Sequence, residues 1–521
     1  MPTLVCVPIT VHALESAVAE AIRSVEHGAD LVELRADGFF SGDDPAAAAA
    51  MIRSITAASP LPVIVTCRSQ AEGGEYEGDD DALAAFYRAV CDPQDAARLP
   101  RYIDVEHARF QRSAALRQAV RQIVADTSSG GHGNPSLILS FHDFNGRPAD
   151  LFRKLATMRE HAEPAVIKVA FRARSLRDAL EALHLPDSSD RPMISLAMGE
   201  FGLISRVLAP KFGGMLTFAS LRAATVTAPG QPTMAELLNL YNFHAIKPRT
   251  RVYGVVGWPL SHSRSPEFHN AAFRARGIDA AYLPLPIASG ESDLESYASF
   301  KATILELLAD DKLEFRGCSV TLPHKVNLLR LAEEQRWRID PLAAAAGAAN
   351  TLVVGDSGNL VFNSDVSAII AALANHPRPR IAVVLGAGGA ARAAIAALQS
   401  LGASIRVAAR DSTKARAVAA DAATVVPWDS PLAADVDLVI NCTPVGMSSG
   451  SAPDESPVSR EQLAVLPRSA VVFDTVYTPP VTPLLTAAQE LGLATISGEA
   501  MFAAQAAKQF EAWTGTPPAG R

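Results

Sequence analysis

The chain has 521 residues, 49% of them hydrophobic and 20% charged, with a formal net charge of −8 at pH 7. This length exceeds what one core supports, so roughly two to four domains are expected, and the negative balance without any Lys/Arg-rich block argues against nucleic acid or a membrane as the main partner. No apolar run reaches a membrane span, "MPTLVCVPIT" lacks a basic signal-peptide region, and the five cysteines (6, 67, 91, 318, 442) form no CxxC pair, which together predict a cytoplasmic protein with reduced thiols and neither disulfide frame nor bound metal.

The first 245 residues alternate strand-like and helix-like segments. Eight strand candidates follow one another: 4–9, 31–37, 62–68, 102–107, 137–144, 165–170, 192–199 and 214–220. Alanine-rich amphipathic stretches such as "LESAVAEAIRSVEHG" and "DALAAFYRAV" separate most of them. Eight such units predict a (β/α)8 TIM barrel, with an open doubly wound sheet as the alternative. Polar residues gather at the strand ends: Glu33 and Arg35, Arg68, Glu106, His142, Lys168 and Glu200. In a barrel those ends form the face that carries the active site.

Residues 245–250, "AIKPRT", read as a linker, and a new strand opens at "RVYGVVG". A compact α/β unit is expected over 251–365, completed by a C-terminal helix at 498–517. Between them, 366–497 carries the pattern of a Rossmann-type dinucleotide domain. There "VVLGAGGAAR" (383–392) follows a strand and opens a helix. Gly386, Ala387, Gly388, Gly389 and Ala390 would let the backbone approach a pyrophosphate at the helix N-terminus. A tight strand–helix turn without ligand remains the alternative, since the pattern is GxGG rather than GxGxxG. The second strand ends in Ala409-Arg410 instead of an acidic residue, which suits the 2′-phosphate of NADP(H). Ser412 and Lys414 lie close enough in sequence to assist, while Asp411 would oppose the phosphate if turned inward.

Lys168 stands inside the apolar run "AVIKVA". A lysine desolvated in such a strand loses its proton near neutral pH and becomes a nucleophile for ketones. His142, one strand away, is the candidate acid/base, and Arg206 a candidate clamp for an anionic substrate. On the stretches "VELRAD", "TCRSQAEGGEYEG", "SFHDF", "IKVA", "MGEFGLISR" and "TAPGQ", residues 1–244 resemble type I 3-dehydroquinate dehydratase. The resemblance implies a covalent imine between Lys168 and the ring ketone, proton transfer by His142, and Glu72 as its neighbouring carboxylate. It implies Arg206 on the substrate carboxylate, and Glu33, Arg35, Arg68 and Gln231 around the ring hydroxyls. Thr227 stands where serine is common. The Gly-rich, acidic "EGGEYEGDD" (72–80) reads either as a lid or as a plain solvated loop.

"SHSRSP" (261–266), "SVTLPHK" (319–325), "GAANT" (347–351) and "NSD" (363–365) supply hydroxyls, an amide, a lysine and a carboxylate, a polyol-binding set. Together they resemble shikimate dehydrogenase over 250–517. The resemblance implies Ser263 and Ser265 on the substrate carboxylate, Asn350 and Gln505 on hydroxyls, and Lys325 with Asp365 as the catalytic pair. Thr321 and Tyr477 would line the site, and Thr443, Met447 and Gly498 would lie at the nicotinamide. Hence the expectation is a bifunctional shikimate-pathway enzyme in the order of plant-type fusions. It would dehydrate 3-dehydroquinate and reduce the product with NADPH, acting on small molecules only; its oligomeric state stays open. A catabolic quinate/shikimate dehydrogenase variant, or a non-catalytic metabolite sensor on the same folds, are the alternatives.

Overall fold

The computed structural model describes residues 2–94, 97–125, 134–222, 230–261, 263–448 and 450–519. The chain divides into two compact units, one of Met1–Thr250 with Pro284–Pro286, the other of Arg251–Leu283 and Ile287–Arg521.

In the first unit eight parallel strands stand side by side: β1 (Leu4–Thr10), β2 (Leu31–Arg35), β3 (Val63–Thr66), β4 (Tyr102–Glu106), β5 (Ser136–Asp143), β6 (Pro164–Arg172), β7 (Met193–Met198) and β8 (Leu216–Phe218). Their order is β7-β6-β5-β4-β3-β2-β1-β8. The Met215 amide donates to the Met193 carbonyl at 2.8 Å, joining the two ends of that order and closing a barrel. β8 is shorter than its apolar run suggested: only Leu216–Phe218 pair as a strand, just after a turn that ends at Gly213 with φ +77°. Alternate residues point inward. Cys6, Leu31, Ile64, Ile138, Val166, Ile194 and Leu216 pack there as one apolar layer. Two to four residues further along the same faces come Glu33, Arg68, Asp104, His142 and Lys168. The period of the strand therefore stacks a charged layer on an apolar plug.

At the end of this unit Lys211 is 1% exposed, and its ammonium donates to the Pro248 carbonyl at 2.6 Å and the Thr250 carbonyl at 3.0 Å. Burying an ammonium is costly unless its protons find acceptors; here the chain leaving the barrel supplies them.

Apart from Pro284–Pro286, the rest of the chain holds two six-stranded sheets. The first holds β9 (Arg251–Gly257), β10 (Ala280–Pro286), β11 (Phe315–Val320), β12 (Arg338–Ile339), β13 (Thr351–Val353) and β14 (Leu360–Phe362), in the order β10-β9-β11-β13-β14-β12. The last helix, Gly498–Thr514, returns to it: Trp513 Nε1 donates to the Leu352 carbonyl at 2.9 Å and Gln509 Nε2 to Thr351 Oγ1 at 3.0 Å. The second sheet holds β15 (Ile381–Leu385), β16 (Ser404–Ala408), β17 (Thr424–Val425), β18 (Leu438–Asn441), β19 (Val471–Asp474) and β20 (Ala494–Ile496). Its order, β17-β16-β15-β18-β19-β20, and its parallel pairings are those of a doubly wound dinucleotide fold. Ala382 and Val384 join one apolar layer, Val383 and Leu385 the other, so β15 is covered on both faces. Among the described residues no helix is long and apolar enough to cross a membrane.

Candidate active sites

In the barrel, Glu33, Arg35, Arg68, Glu72, His142, Lys168, Arg206 and Gln231 line one cavity, with Phe144, Phe218 and Met198 among its apolar walls. Thr227 lies outside the described residues. Glu200 is exposed and outside this lining.

Lys168 does not sit in the apolar sleeve its strand suggested. Its ammonium meets Asp104 Oδ2 at 2.8 Å and Glu33 Oε1 at 3.2 Å, and stands 4.7 Å from the centre of the Phe218 ring. The difference arises because barrel closure brings charges from β2 and β4 onto the lysine of β6. A buried charge of this kind persists because it is paired.

Arg68 binds the layer together. It donates to Asp104 Oδ1 and Ser140 Oγ, both at 2.8 Å, and lies 3.6 Å from Glu72 and from Glu106. Burial disfavours its charge, but Asp104, Glu106, Glu72 and Glu33 outweigh that and raise its pKa. Burial likewise pushes Asp104 up, yet Arg68 and Lys168 hold it well below the usual carboxylate range. Arg35 forms a two-pronged pair with Asp37, at 2.9 and 2.7 Å, which leaves its guanidinium at the cavity edge in a fixed orientation.

His142 Nδ1 lies 3.0 Å from Glu72 Oε2, and the His142 amide donates to the same oxygen at 3.0 Å. Burial, then Arg68 and Lys168, hold the imidazole well below its ordinary pKa. Burial pushes Glu72 up to about 8, with Glu106 and Asp104 adding to the shift against Arg68. Arg206 is 2% exposed, its Nε has no hydrogen-bond partner among the described residues, and burial alone brings its pKa down to about 10. A desolvated guanidinium on a cavity wall is a ready anion receptor.

In the segment after Glu72, Tyr76 is an anchor while Gly73, Glu75, Glu77 and Asp79 stay exposed. The Tyr76 amide donates to the Arg68 carbonyl at 3.0 Å, the Glu75 amide to Asp37 Oδ2 at 3.2 Å, and the Tyr76 ring is 1% exposed. Gly73, at φ +80°, lies so close to Phe144 that a Cβ there would come within 2.3 Å of the ring. Asp104 and Ser140 are missing from the sequence-based set, although Asp104 shares a face with Glu106 two residues on and carries the same signal that singled out Lys168.

In the second unit, Lys325 Nζ meets Asp365 Oδ2 at 2.5 Å. The lysine stem also passes Gly389, where a Cβ would come within 2.9 Å of its Cδ. The amine and the glycine-rich turn are thus neighbours. Asn350 accepts from the Ser364 amide at 2.8 Å and donates to Ser364 Oγ at 3.0 Å, and Ser364 Oγ reaches Gln505 Oε1 at 3.3 Å. Ser265 begins the helix Ser265–Arg276, with its amide 3.4 Å from Ser263 Oγ. Between the two serines, Arg264 turns to Glu499 at 3.0 Å and to the Phe502 ring. Phe502 stacks on Tyr477 with centroids 5.0 Å apart. Thr321 packs against Gly257, where a Cβ would come within 2.5 Å of its methyl group.

Gly386 has φ +113°, and a Cβ there would meet the Cys442 carbonyl at 2.9 Å and Thr443 Cγ2 at 3.2 Å. Gly388 is exposed, faces open space, and precedes the helix Gly389–Ser400; Ala387 and Ala390 flank it half-buried. These positions form an open cradle at the point where strand order reverses. Arg410 and Lys414 are exposed, and Ser412 Oγ accepts from Arg416 at 3.3 Å. Asp411 is a helix cap: its Oδ1 accepts from the Thr413 amide at 2.9 Å and the Lys414 amide at 3.1 Å. Gly498 starts the last helix where a Cβ would strike the Val476 carbonyl at 2.4 Å, a packing reason for glycine there. Met447, half-buried, lies in the turn after Thr443. Among the described residues no three His, Cys, Asp or Glu side chains gather as a metal site.

Two family models match the chain: type I 3-dehydroquinase over residues 5–248, and the shikimate dehydrogenase substrate binding domain over residues 255–352. A chloroplastic bifunctional 3-dehydroquinate dehydratase/shikimate dehydrogenase of Arabidopsis thaliana is 34% identical over 99% of this chain and 83% of its own length. The shikimate dehydrogenase (NADP(+)) of Citrifermentans bemidjiense is 39% identical over 53% of this chain and 94% of its own. A pentafunctional AROM polypeptide of Malassezia globosa is 30% identical over 94% of this chain and 30% of its own.

Proposed function

Since the chain belongs to the family of bifunctional 3-dehydroquinate dehydratase/shikimate dehydrogenases, we propose that its two sites run consecutive steps with the residues described above. The cavity that gathers Lys168, His142, Glu72 and Arg206 carries this reading. We keep the domain boundaries at 1–244, 245–250, 251–365 with 498–517, and 366–497; the start of β9 at Arg251 supports the first division.

Arg206 receives the substrate carboxylate, and Glu33, Arg35, Arg68 and Gln231 hold the ring hydroxyls. Asp104 and Glu33 are the nearest acceptors for the proton that Lys168 Nζ sheds before attack. The amine adds to the ketone, water leaves, and an imine forms. His142 then takes the proton alpha to that carbon, while the electron pair moves toward the imine nitrogen. Expulsion of the beta hydroxyl, with the proton returned by His142, releases a second water and gives the conjugated enone. Hydrolysis restores Lys168. Glu72 orients the imidazole; with the Nδ1 proton directed at its carboxylate, Nε2 is the basic atom.

The second site suits NADP(H): the Gly386–Gly389 turn leaves room for a pyrophosphate, and Arg410 lies past β16 where the adenosine ribose belongs. The bound nucleotide supplies the hydride. Ser263 and Ser265 bind the carboxylate, Asn350 and Gln505 the hydroxyls, with Thr321 and Tyr477 as walls. Lys325, held by Asp365, delivers the proton that the reduced carbonyl oxygen needs. Five unpaired cysteines suit a reducing, cytoplasmic compartment.

A coupled assay, 3-dehydroquinate plus NADPH with loss of nicotinamide absorbance, tests the sequence of steps. Borohydride with 3-dehydroquinate is expected to inactivate the dehydratase and add ligand mass at Lys168. Lys168→Ala is expected to abolish dehydration while shikimate oxidation continues; full dehydratase activity in that variant would sink the imine mechanism. Lys325→Ala is expected to slow reduction about 10²- to 10⁴-fold, far more than any change in NADPH binding from loss of its stem beside Gly389.

A further inference from the structure

Beneath the second site lies a buried carboxylate that the mechanism does not use. Asp474 ends β19, is 0% exposed, and pairs in register with Asn441 at the end of β18. Its Oδ1 accepts from Asn441 Nδ2 at 2.9 Å and from the Val476 amide at 3.0 Å. Its Oδ2 accepts from Thr482 Oγ1 at 2.6 Å. All three neighbours donate, so a carboxylate is the side chain of that length that satisfies them all.

Each partner belongs to a different piece of the site. Asn441 Oδ1 accepts from the Thr443 amide at 2.9 Å and from Thr443 Oγ1 at 2.7 Å, which sets the turn running to Met447. Val476 precedes Tyr477. Thr482 caps the helix Pro483–Glu490, and its Cβ lies within 3.4 Å of where a Cβ on Gly446 would stand. Direct bonds tie the same pieces: the Ser448 amide donates to the Thr478 carbonyl at 2.9 Å, and Thr475 Oγ1 to the Asn441 carbonyl at 2.8 Å.

We propose that Asp474 is a positioning residue for hydride transfer, holding the Thr443–Met447 turn and the Tyr477 loop in one register on either side of the reacting atoms. The inference rests on the placing of Thr443, Met447 and Tyr477 proposed above. Asp474 touches neither substrate nor nucleotide. Removing it leaves the two loops tied only by the Ser448–Thr478 and Thr475–Asn441 bonds, and a displacement near 1 Å in a reacting pair costs on the order of 10²-fold in rate. The pyrophosphate cradle lies on the turn after β15 and meets the shifting turn only where Gly386 packs on Cys442 and Thr443, so the shift acts mainly at the nicotinamide end of the nucleotide.

The test uses the full chain with Asp474→Ala and Asp474→Asn. 3-Dehydroshikimate reduction, NADPH affinity by fluorescence, and the isotope effect with deuterated NADPH are measured where circular dichroism shows each variant folded. Dehydratase turnover of the same preparations is the internal control. Asp474→Ala is expected to lose tenfold or more in kcat, keep the NADPH Kd within threefold, and show a larger isotope effect. Asp474→Asn retains an oxygen for Asn441 and Val476 and is expected to recover most of kcat. A kcat within twofold of wild type in folded Asp474→Ala overturns the proposal. So does a loss matched wholly by a smaller folded fraction, which marks a structural role alone. If Asp474→Ala does not fold, Thr482→Val decides: a drop of at least threefold in kcat at constant Kd supports the proposal, and no drop overturns it. Tyr477→Phe and Thr443→Ala separate the two levels. If neither alters kcat or KM, the site assignment itself fails; if both do while Asp474→Ala does not, only the positioning role fails.

Discussion

Glu72 offers one oxygen to both the amide and the ring of His142, so the two residues titrate as a pair. With a proton on Glu72 directed at Nδ1, the imidazole carries its own proton on Nε2 and has no basic atom for the substrate. The base form appears as pH rises and the pair loses that proton. Because Glu72 is pushed up to about 8, kcat/KM for dehydration is expected to climb with pH through that region. Glu72→Gln removes the titrating carboxyl. His142 alone is held low by burial, Arg68 and Lys168, so the rising limb is expected to move well to the acid side of 6.5. A pH profile of both proteins checks this, and an unmoved limb in Glu72→Gln contradicts the pairing. Lys168 and His142 were legible as charges within apolar strands. The partners of Lys168 were not: which carboxylates reach across a barrel depends on strand stagger, and local pattern does not encode that.

Helices and turns show the same division. "ARDSTK" was read for the charge it would bring to a phosphate, yet the same letters spell a helix start, and Asp411 spends its carboxylate on the amides of Thr413 and Lys414. Capping and repulsion predict different substitutions. Asp411→Thr keeps a capping oxygen and removes the charge, so the preference for NADPH over NADH is expected to rise with stability nearly intact. Asp411→Ala loses the cap as well, at a cost of about 1 kcal/mol in stability. Arg410→Ala is expected to erase most of the preference, since a charge-assisted contact to phosphate is worth about 1.5–3 kcal/mol, or roughly 10- to 150-fold. Ratios of kcat/KM for the two nucleotides, with thermal melts alongside, decide the matter; equal use of both by the wild type would show Arg410 misplaced. In the segment 72–80 the glycines and acids are mostly exposed, while Tyr76 anchors it through a ring buried against Phe40 and Arg109.

At the scale of the whole chain, strand periodicity and alternation were enough to read the barrel and the dinucleotide fold, because each depends on short-range pattern. The sheet order β10-β9-β11-β13-β14-β12, with its parallel and antiparallel pairs, was not legible, since its neighbours are distant in sequence. Each unit has its own core, so calorimetry is expected to resolve two transitions. NADP⁺ at about a hundred times its Kd adds roughly 2.7 kcal/mol to whatever binds it. Only the transition of the second unit is expected to move, and a joint shift of both would reveal coupled unfolding. The two lysine-bound carbonyls at the barrel's exit bear on a different matter. Six residues of free chain could stretch about 20 Å, but Lys211 grips the last of them at Thr250, and β9 begins at Arg251. Residues 248 and 250 are therefore held within the first unit's own fold rather than left as free chain.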